Sequence, residues 1–453
     1  MSIVHKYTSD VHSTIGEQLY LSEEMADFYF IFETTDSDSE YERVAAHKLL
    51  LATGSDVFRA MFNGSWKEQY ETKITDASAD EFKQFLQFFY INTVEITMDS
   101  IAKVMYLGDK YNVPNCLSVC EKFVIDLITD DNVSWAYEIG IAINQDKLKK
   151  YCETIIGLNT KAVLTSDSFL VCTQNTLGRI LSMKHLSCTE AELFESCMRW
   201  VKVSSGQDDL TKEIVQTELG SLFDELPFGS MSLDEFSALD PLYGNLFTFD
   251  EYREVIRMIA SKELKPTKFN GNHQKRYDEM IPSFEGDSVQ FNRLISKYGS
   301  SKPYYIQNIE TTTFSTNEPI FLVAFECSKV FTKYSNYEDG IDSTDKLSTD
   351  IKIVTLPGPT DSSKEIVLYE GTGVLEVGKR AKILLNKPIL IRSGLIHEIR
   401  MNQSPPDSSY TSALLKTEVQ VQSDVKIQFH GDPFDGDTDV ARGLILGFEF
   451  HRI

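Results

Sequence analysis

The sequence predicts an α+β multidomain chain, and three observations carry that prediction. The apolar run Phe28-Tyr29-Phe30-Ile31-Phe32 reads as a strand ahead of the first long helical patterns. Helical apolar spacing then continues with short breaks to about residue 265. Behind Lys265-Pro266 the spacing turns to period two, with Gly, Pro, Ser and Asn rising. At 453 residues the chain exceeds one ordinary core. The expected division is a mixed α/β domain at 1–125, an all-helical domain at 126–265 and an antiparallel β-sandwich at 266–453.

In the first part, Thr14-Ile15-Gly16-Glu17 reads as a capping box opening a helix whose one face carries Val11, Ile15 and Leu19. Asp27 to Phe32 reads as a strand covered on both faces, followed by an exposed acidic loop from Glu33 to Glu42 and a partner strand at Arg43-Val44-Ala45-Ala46. His47-Lys48 then opens a helix. Another helix follows at Glu81 to Tyr90, with Phe82, Phe85, Leu86 and Phe89 on one stripe. A further helix carries Ile101, Val104 and Met105, is broken at Tyr111-Asn112-Val113-Pro114, and gives way to one lined by Cys116, Cys120 and Phe123. Two cysteines four apart hold a metal only with further ligands, and no Cys-x-x-Cys or His pair supplies them.

The order Ala46-His47-Lys48, Ser55-x-x-Phe58-x-x-Met61-Phe62, Phe89-Tyr90, Asp109-Lys110-Tyr111 and Val113-Pro114 closely resembles a BTB (POZ) domain. The resemblance implies a homodimer with Val11, Ile15 and Leu19 at its interface, the alternative being a helix packed only on its own domain. It makes His47 scaffold, in keeping with the absence of a nucleophile or acid in a catalytic pattern around it. In relatives that recruit the ubiquitin-ligase scaffold cullin-3, an apolar-x-Glu motif follows this core. Trp66-Lys67-Glu68 is similar to it, with Met61 and Phe62 ahead of it in the same contact region. An apolar side chain on an exposed turn gains energy when a partner's groove covers it, and the carboxylate accepts charge-assisted hydrogen bonds alongside. The other reading folds Trp66 back onto its own domain.

From 126 to 265, Asp131-Asn132 is expected to cap a helix with Val133, Ala136, Ile139 and Gly140. Helices follow at Asp146 to Ile156 and Thr176 to Met183. Thr189-x-x-Glu192, Ser232-x-x-Glu235 and Thr248-x-x-Glu251 are capping boxes. The last opens a stripe of Tyr252, Val255, Ile256 and Ile259, while Gln207-Asp208-Asp209 and Asp240-Pro241 read as loops. The series, with Asp167-Ser168-Phe169 and Glu192-Leu193-Phe194-x-x-Cys197-x-x-Trp200, resembles the BACK domain. The resemblance implies a rigid spacer whose first helices, Asn132 to Asn159, complete a cullin-facing groove.

Beyond 266, strands are expected at Ile320–Phe325, Ile351–Ile353, Ile366–Tyr369, Ala381–Leu385, Ile389–Ile391, Val419–Val421, Val425–Phe429 and Leu444–Phe450. Ile320 to Phe325, Asn386-Lys387-Pro388-Ile389 and the Gly443 to Phe450 ending look like a PHR domain, the sandwich that follows BTB and BACK in an adaptor subfamily. The acidic loop His430 to Asp439 starts like a calcium loop, but Val440 and Leu446 stand where its Gly and Glu belong. Glu370-Gly371-Thr372-Gly373 has no third Gly and no following helix, so it is not a dinucleotide fingerprint. No metal, cofactor or catalytic residue is assigned.

Composition bounds the partners. Asp and Glu outnumber Lys and Arg by 68 to 44, a net charge of −24, which opposes binding to nucleic acid or anionic membrane and favours a basic protein surface. Seven cysteines at 116, 120, 152, 172, 188, 197 and 327, inside mostly apolar patterns, fit buried thiols in a reducing compartment. The start Met1-Ser2-Ile3-Val4-His5-Lys6 has no apolar signal region, and the expectation is a cytoplasmic protein, with the nucleus also open. The function expected is a non-enzymatic substrate adaptor of a cullin-3 ubiquitin ligase, dimeric through BTB and capturing a protein substrate with the sandwich. The alternative is a dimeric BTB scaffold for cytoskeletal or signalling partners without ubiquitination. A transcription regulator is disfavoured by the missing zinc fingers and the acidity, and an enzyme by the missing catalytic motifs.

Overall fold

A computed structural model describes residues 13–33, 41–63, 70–91, 93–261, 266–271, 288–296, 303–305, 309–332, 346–357, 365–404, 408–411, 414–421, 425–431 and 443–452. The chain divides into two compact units, one from residues up to 183 with 189–274, the other from 184–188 with 275 onward.

The first unit begins with α1 (Ser13–Leu19) and a small sheet. In that sheet β1 (Phe28–Glu33) pairs antiparallel with β2 (Tyr41–Ala46) and parallel with β3 (Glu71–Lys73). Burial along β1 alternates: Phe28, Phe30 and Phe32 are buried, Tyr29 and Ile31 only half so. The strand is therefore not covered on both faces as its all-apolar run suggests. Helices pack on the Phe side, while the Arg43 guanidinium, 4.2 Å from the ring centre, shelters Tyr29 on the other. Those helices are α2 (Lys48–Gly54), α3 (Asp56–Asn63), α4 (Ala79–Tyr90), α5 (Met98–Lys110) and α6 (Pro114–Leu127). Phe30 meets Phe58 and Phe82, and Tyr111 stacks on Phe58 at 4.4 Å between ring centres. Large aromatics bury roughly 150–250 Å² each, so this cluster dominates the local hydrophobic term. Asn112, with φ at +50°, turns the corner into Pro114 in the first turn of α6. Thr14 lies inside α1, so it is not the cap that its spacing to Glu17 suggests.

Among the described residues ten further α-helices follow in the unit: α7 (Val133–Ala142), α8 (Asp146–Leu158), α9 (Thr160–Leu164), α10 (Asp167–Leu170), α11 (Gln174–Leu181), α12 (Glu190–Ser205), α13 (Lys212–Leu219), α14 (Leu222–Glu225), α15 (Leu233–Tyr243) and α16 (Phe249–Ala260). The capping boxes at Thr189, Ser232 and Thr248 form as expected. Leu193, Phe194, Cys197, Trp200 and Val201 make one buried stripe.

Four local expectations fail here. Asn132 does not cap α7; its side chain turns back to the Thr129 N–H and the Leu127 carbonyl, holding the end of α6. α11 starts two residues before Thr176 because Thr173 caps it. Asp240-Pro241 is not a loop but the last turn of α15, where the carbonyl that Pro241 leaves without a donor belongs to exposed Ser237 and can be solvated. On α16 the buried positions are Val255 and Met258, and Ile256 is exposed. Residues 266–271 belong to this unit: buried Phe269 meets Phe223 and Phe228, and the Asn270 N–H donates to the Asp224 carbonyl.

The second unit is a β-sandwich. Its strands are β4 (Val289–Gln290), β5 (Leu294–Ser296), β6 (Pro303–Tyr305), β7 (Ile309–Thr316), β8 (Ile320–Cys327), β9 (Val330–Thr332), β10 (Lys346–Thr355), β11 (Ile366–Glu376), β12 (Ala381–Ile391), β13 (His397–Ser404), β14 (Ser408–Thr411), β15 (Leu414–Leu415), β16 (Glu418–Val421), β17 (Val425–His430) and β18 (Ile445–Arg452). A six-stranded sheet, β11-β10-β13-β7-β17-β16, faces a four-stranded one, β12-β8-β18-β4, with β6-β14-β9 and β15-β5 as small additions. Phe314, Ile351 and Ile399 of one sheet share a core with Phe325, Ile383 and Phe448 of the other.

The two strands expected at Ala381–Leu385 and Ile389–Ile391 are one strand, β12. Its pairing with β8 shifts register between Leu384 and Ile389, and as the outermost strand of its sheet it tolerates Pro388, which has no N–H to donate. β7 and β13 were not expected. The Gly371-Thr372-Gly373 stretch lies within β11. The acidic stretch from Asp432 to Asp439 falls outside the described residues.

Candidate partner-binding surface

The surface is organised by the residues where α2 begins. His47 precedes α2 in extended conformation, and the Lys48 N–H donates to Asp27 Oδ1 at 2.8 Å, tying the start of α2 to the entry of β1. His47 Nε2 is 2.9 Å from the Glu24 carbonyl, and its backbone N–H donates to the Tyr90 hydroxyl at 2.9 Å. Burial pushes the Tyr90 phenol well above its ordinary range despite that bond, and nearby Asp27 adds to the effect. The Tyr20 hydroxyl donates to the Lys83 carbonyl at 2.8 Å, and burial, with a smaller push from Glu95, raises that phenol to about 12. Ser55 spans the α2–α3 junction, donating to the Tyr111 carbonyl and accepting from the Phe58 N–H. His47 is thus a buried structural node, as its setting in the sequence suggests.

α1 rests on the same node. A Cβ at Gly16 would lie 1.8 Å from the Tyr90 carbonyl oxygen, so only glycine permits this approach. With that side of α1 against its own domain, Ile15 is left 68% exposed and Leu19 half-buried, while Val11 lies outside the described residues. The loop after α1 places two apolar residues in left-handed conformation, Leu21 at φ +56° and Met25 at φ +58°. Such backbone costs roughly 1–2 kcal/mol per residue, yet Met25 gains no burial from it, being 82% exposed. Leu49, in the first turn of α2, is 78% exposed. Sequence reasoning missed Leu21, Met25 and Leu49; only the run Leu49-Leu50-Leu51, apolar around the whole helix, signalled that one of the three must face out.

The second group of expected site residues is brought together only in part. Trp66 and Glu68 lie outside the described residues. Met61 is half-buried, whereas Phe62 is only 7% exposed, packed on Phe28 at 4.8 Å and stacked on Phe58. Phe62 therefore anchors α3 in the core and does not present itself to a partner, a correction to the expectation. The Lys48 ammonium lies within 6 Å of the rings of both Phe62 and Tyr70, which bracket the 63–69 segment, and Tyr70 is largely exposed. Tyr106 and Lys110 on α5 both donate to Asp76 Oδ2 at 2.8 Å, holding that carboxyl below its usual range.

The helices expected to extend this surface, α7 and α8, are joined by a hydrogen bond from the Tyr137 hydroxyl to Glu153 Oε1 at 2.8 Å. All seven cysteines are free and buried, and burial raises the Cys172 thiol to about 12. Cys116 and Cys120 gather no metal set, and no group of three metal-ligating side chains occurs among the described residues.

Residues 17–127 match the BTB/POZ domain family, and residues 135–217 match the BACK family, "BTB And C-terminal Kelch". The chain is similar to BTB/POZ domain-containing protein 3 of Mus musculus, 23% identical over 322 residues that cover 70% of this chain and 58% of that protein. It is also similar to BTB/POZ domain-containing protein 6 of Xenopus laevis, 26% identical over 329 residues covering 66% of this chain and 61% of the relative. The chain thus spans less than two thirds of the length of these relatives. Among solved structures, the BTB domain of zebrafish PATZ1 matches 26% of this chain and 97% of its own, at 20% identity and a TM-score of 0.20. The chain thus carries a BTB/POZ domain followed by a BACK domain, with an antiparallel sandwich behind them, and is similar over the first two to BTB/POZ domain-containing proteins.

Proposed function

We propose that this chain is a non-enzymatic adaptor that dimerises through its BTB domain, recruits cullin-3 and presents a protein substrate on its C-terminal sandwich. The observation that carries the first step is the set Ile15, Leu21, Met25 and Leu49, apolar side chains left in solvent on segments that converge on Tyr90. Apolar side chains so exposed gain stability when a second copy covers them. Cullin recruitment rests on Trp66 and Glu68, between the ends of a segment bracketed by Phe62 and Tyr70 beside Lys48. We place α7 and α8 as the groove's second wall, and we divide the chain as BTB to about 125, BACK from 126, and sandwich from 275. A homodimer offers two substrate sites, so weak capture at each is compensated by avidity. The cytoplasm, with the nucleus also open, is the compartment this reading assigns.

The test is a pull-down of cullin-3 by the full chain carrying Trp66→Ala and Glu68→Ala, with the oligomeric state measured in parallel. Lost cullin-3 with an intact dimer is expected. Unchanged capture overturns the assignment of the motif, and a wild-type chain that captures no cullin-3 moves the reading to a dimeric scaffold without ubiquitination.

A further inference from the structure

Among the described residues, the four outer strands of the sandwich's two main sheets are not alike. β16 is four residues long and carries the Lys426–Glu418 ion pair on its hairpin with β17. β4 has two residues. β12 contains Lys382, Lys387 and Pro388 and a register shift. Short length, lysines, proline and irregular pairing are the usual means by which a sheet edge is kept from pairing with another chain. β11 has few of them. It is eleven residues long, Ile-Val-Leu-Tyr-Glu-Gly-Thr-Gly-Val-Leu-Glu, with no proline and no basic residue. A register shift interrupts it only near Leu368, leaving Tyr369–Glu376 paired regularly with β10.

Among the described residues the outer edge of β11 has no backbone partner. Its core side is closed, because the Tyr369 ring lies over Gly371 while Ile351 and Ile383 fill the space beside Gly373. The N–H and C=O groups of Tyr369–Leu375 that point away from β10 meet no partner among the described residues.

We infer that β11 pairs antiparallel with β11 of a second copy of this chain, about a two-fold axis at Thr372. The strand is self-complementary in that register. On the outer face Thr372 meets its twin, a favourable cross-strand pair, and Val374 lies opposite the aliphatic stem of Glu370. On the core face Tyr369 lies opposite Leu375, and Gly371 opposite Gly373, so apolar groups meet apolar groups. Glu370, already 3.5 Å from Lys352, stays four residues from its twin, about 13 Å along the strand. That exceeds the ~8 Å screening length at physiological salt, so the acidity of the chain does not forbid the pairing. The contact is isologous and closes on itself, joining two six-stranded sheets into one.

The buried native cysteines make a single new cysteine a clean probe in the full chain. Thr372→Cys is expected to give an interchain disulfide, or a short bismaleimide cross-link, about tenfold faster than Ser348→Cys, because pairing raises the local concentration of twin thiols. Ser348 is also exposed but lies on β10, flanked by strands on both sides. Thr372→Lys, which sets like charges face to face on the axis, is expected to abolish the sandwich-dependent part of self-association in sedimentation, with an unchanged melting profile. Equal cross-linking of the two cysteine variants overturns the inference. So does unaltered self-association of Thr372→Lys, including the case where a different protein's strand takes the edge.

Discussion

His47 and Tyr90 hold each other through two hydrogen bonds that run in opposite directions. The His47 backbone N–H donates to the Tyr90 oxygen at 2.9 Å, and the same hydroxyl lies 3.1 Å from His47 Nδ1. The tautomer follows from the third contact: the Glu24 carbonyl can only accept, so Nε2 carries the ring proton and Nδ1 accepts from Tyr90. One phenol thereby fixes the entry to α2, the ring of His47 and, through Glu24, the strained loop bearing Met25.

Tyr90→Phe keeps the ring but leaves a buried N–H and a buried ring nitrogen without partners. The expected loss is about 2 kcal/mol, the usual penalty for orphaned buried polar groups. Urea unfolding followed by tryptophan fluorescence measures it, since Trp66, Trp135 and Trp200 all precede residue 275 and report on the first unit alone. A change under ~0.5 kcal/mol contradicts the double bond.

Glu251 joins three segments of the helical unit. Its carboxylate completes the capping box at Thr248 and accepts from Lys212 on α13 and from Lys268 in the 266–271 tail. Burial pushes its pKa up, but those bonds outweigh it and bring the group down to about 2. A carboxyl depressed in the folded state contributes stability that is complete above its ordinary range near 4.5 and is lost as pH falls toward 2. Glu251→Gln is expected to cost about 2 kcal/mol at neutral pH and to flatten the acid limb of the tryptophan-monitored transition. An acid limb identical to wild type removes Glu251 from this role.

Much of the fold was legible in the residues, for identifiable reasons. Capping boxes are local chemistry, so Thr189-x-x-Glu192 and Thr248-x-x-Glu251 announce helices wherever the rest of the chain lies. β7, Ile-Glu-Thr-Thr-Thr-Phe-Ser-Thr, was not legible because threonine suits a strand without marking which face is buried. Pro388 misled because its meaning depends on whether a strand is central or outermost, which is a property of the sheet. At the candidate surface, Phe62 and Met61 are adjacent apolar residues on one helix. Only the packing of Phe28 and Phe58 decides which of them turns inward.

His397 gives the sandwich its own acid sensitivity. The ring is fully buried, Nε2–H donates to the Arg392 carbonyl, and Nδ1 accepts from the Thr355 hydroxyl, each at 3.1 Å. Burial lowers its pKa from 6.5 to about 4. The unfolded chain therefore binds the proton first, and stability is complete above pH 6.5 and falls as pH drops from 6.5 toward 4. The loss approaches 3 kcal/mol, roughly, at the low end of that window. Amide exchange of β13 and β10 follows it, as the sandwich has no tryptophan. His397→Gln is expected to remove the slope, and a slope that survives assigns it to another group.

The exposed face of α1 separates docking from dimerisation. Gly16 meets Tyr90 of its own chain, whereas Ile15 meets solvent. Ile15→Asp should leave α1 docked but place charge where the proposed second copy would bury apolar surface, and Leu49→Asp should do the same from α2. Together they are expected to weaken the proposed BTB dimer by at least about a hundredfold, read by sedimentation over a dilution series, with the urea midpoint of diluted monomer unchanged. Gly16→Val should act differently, because its side chain collides with the Tyr90 carbonyl and displaces α1 itself. That variant is expected to lose monomer stability as well as dimer. If Ile15→Asp with Leu49→Asp leaves the dimer intact while Gly16→Val breaks it, the interface lies elsewhere on α1 or α2, and the proposal for these two side chains fails.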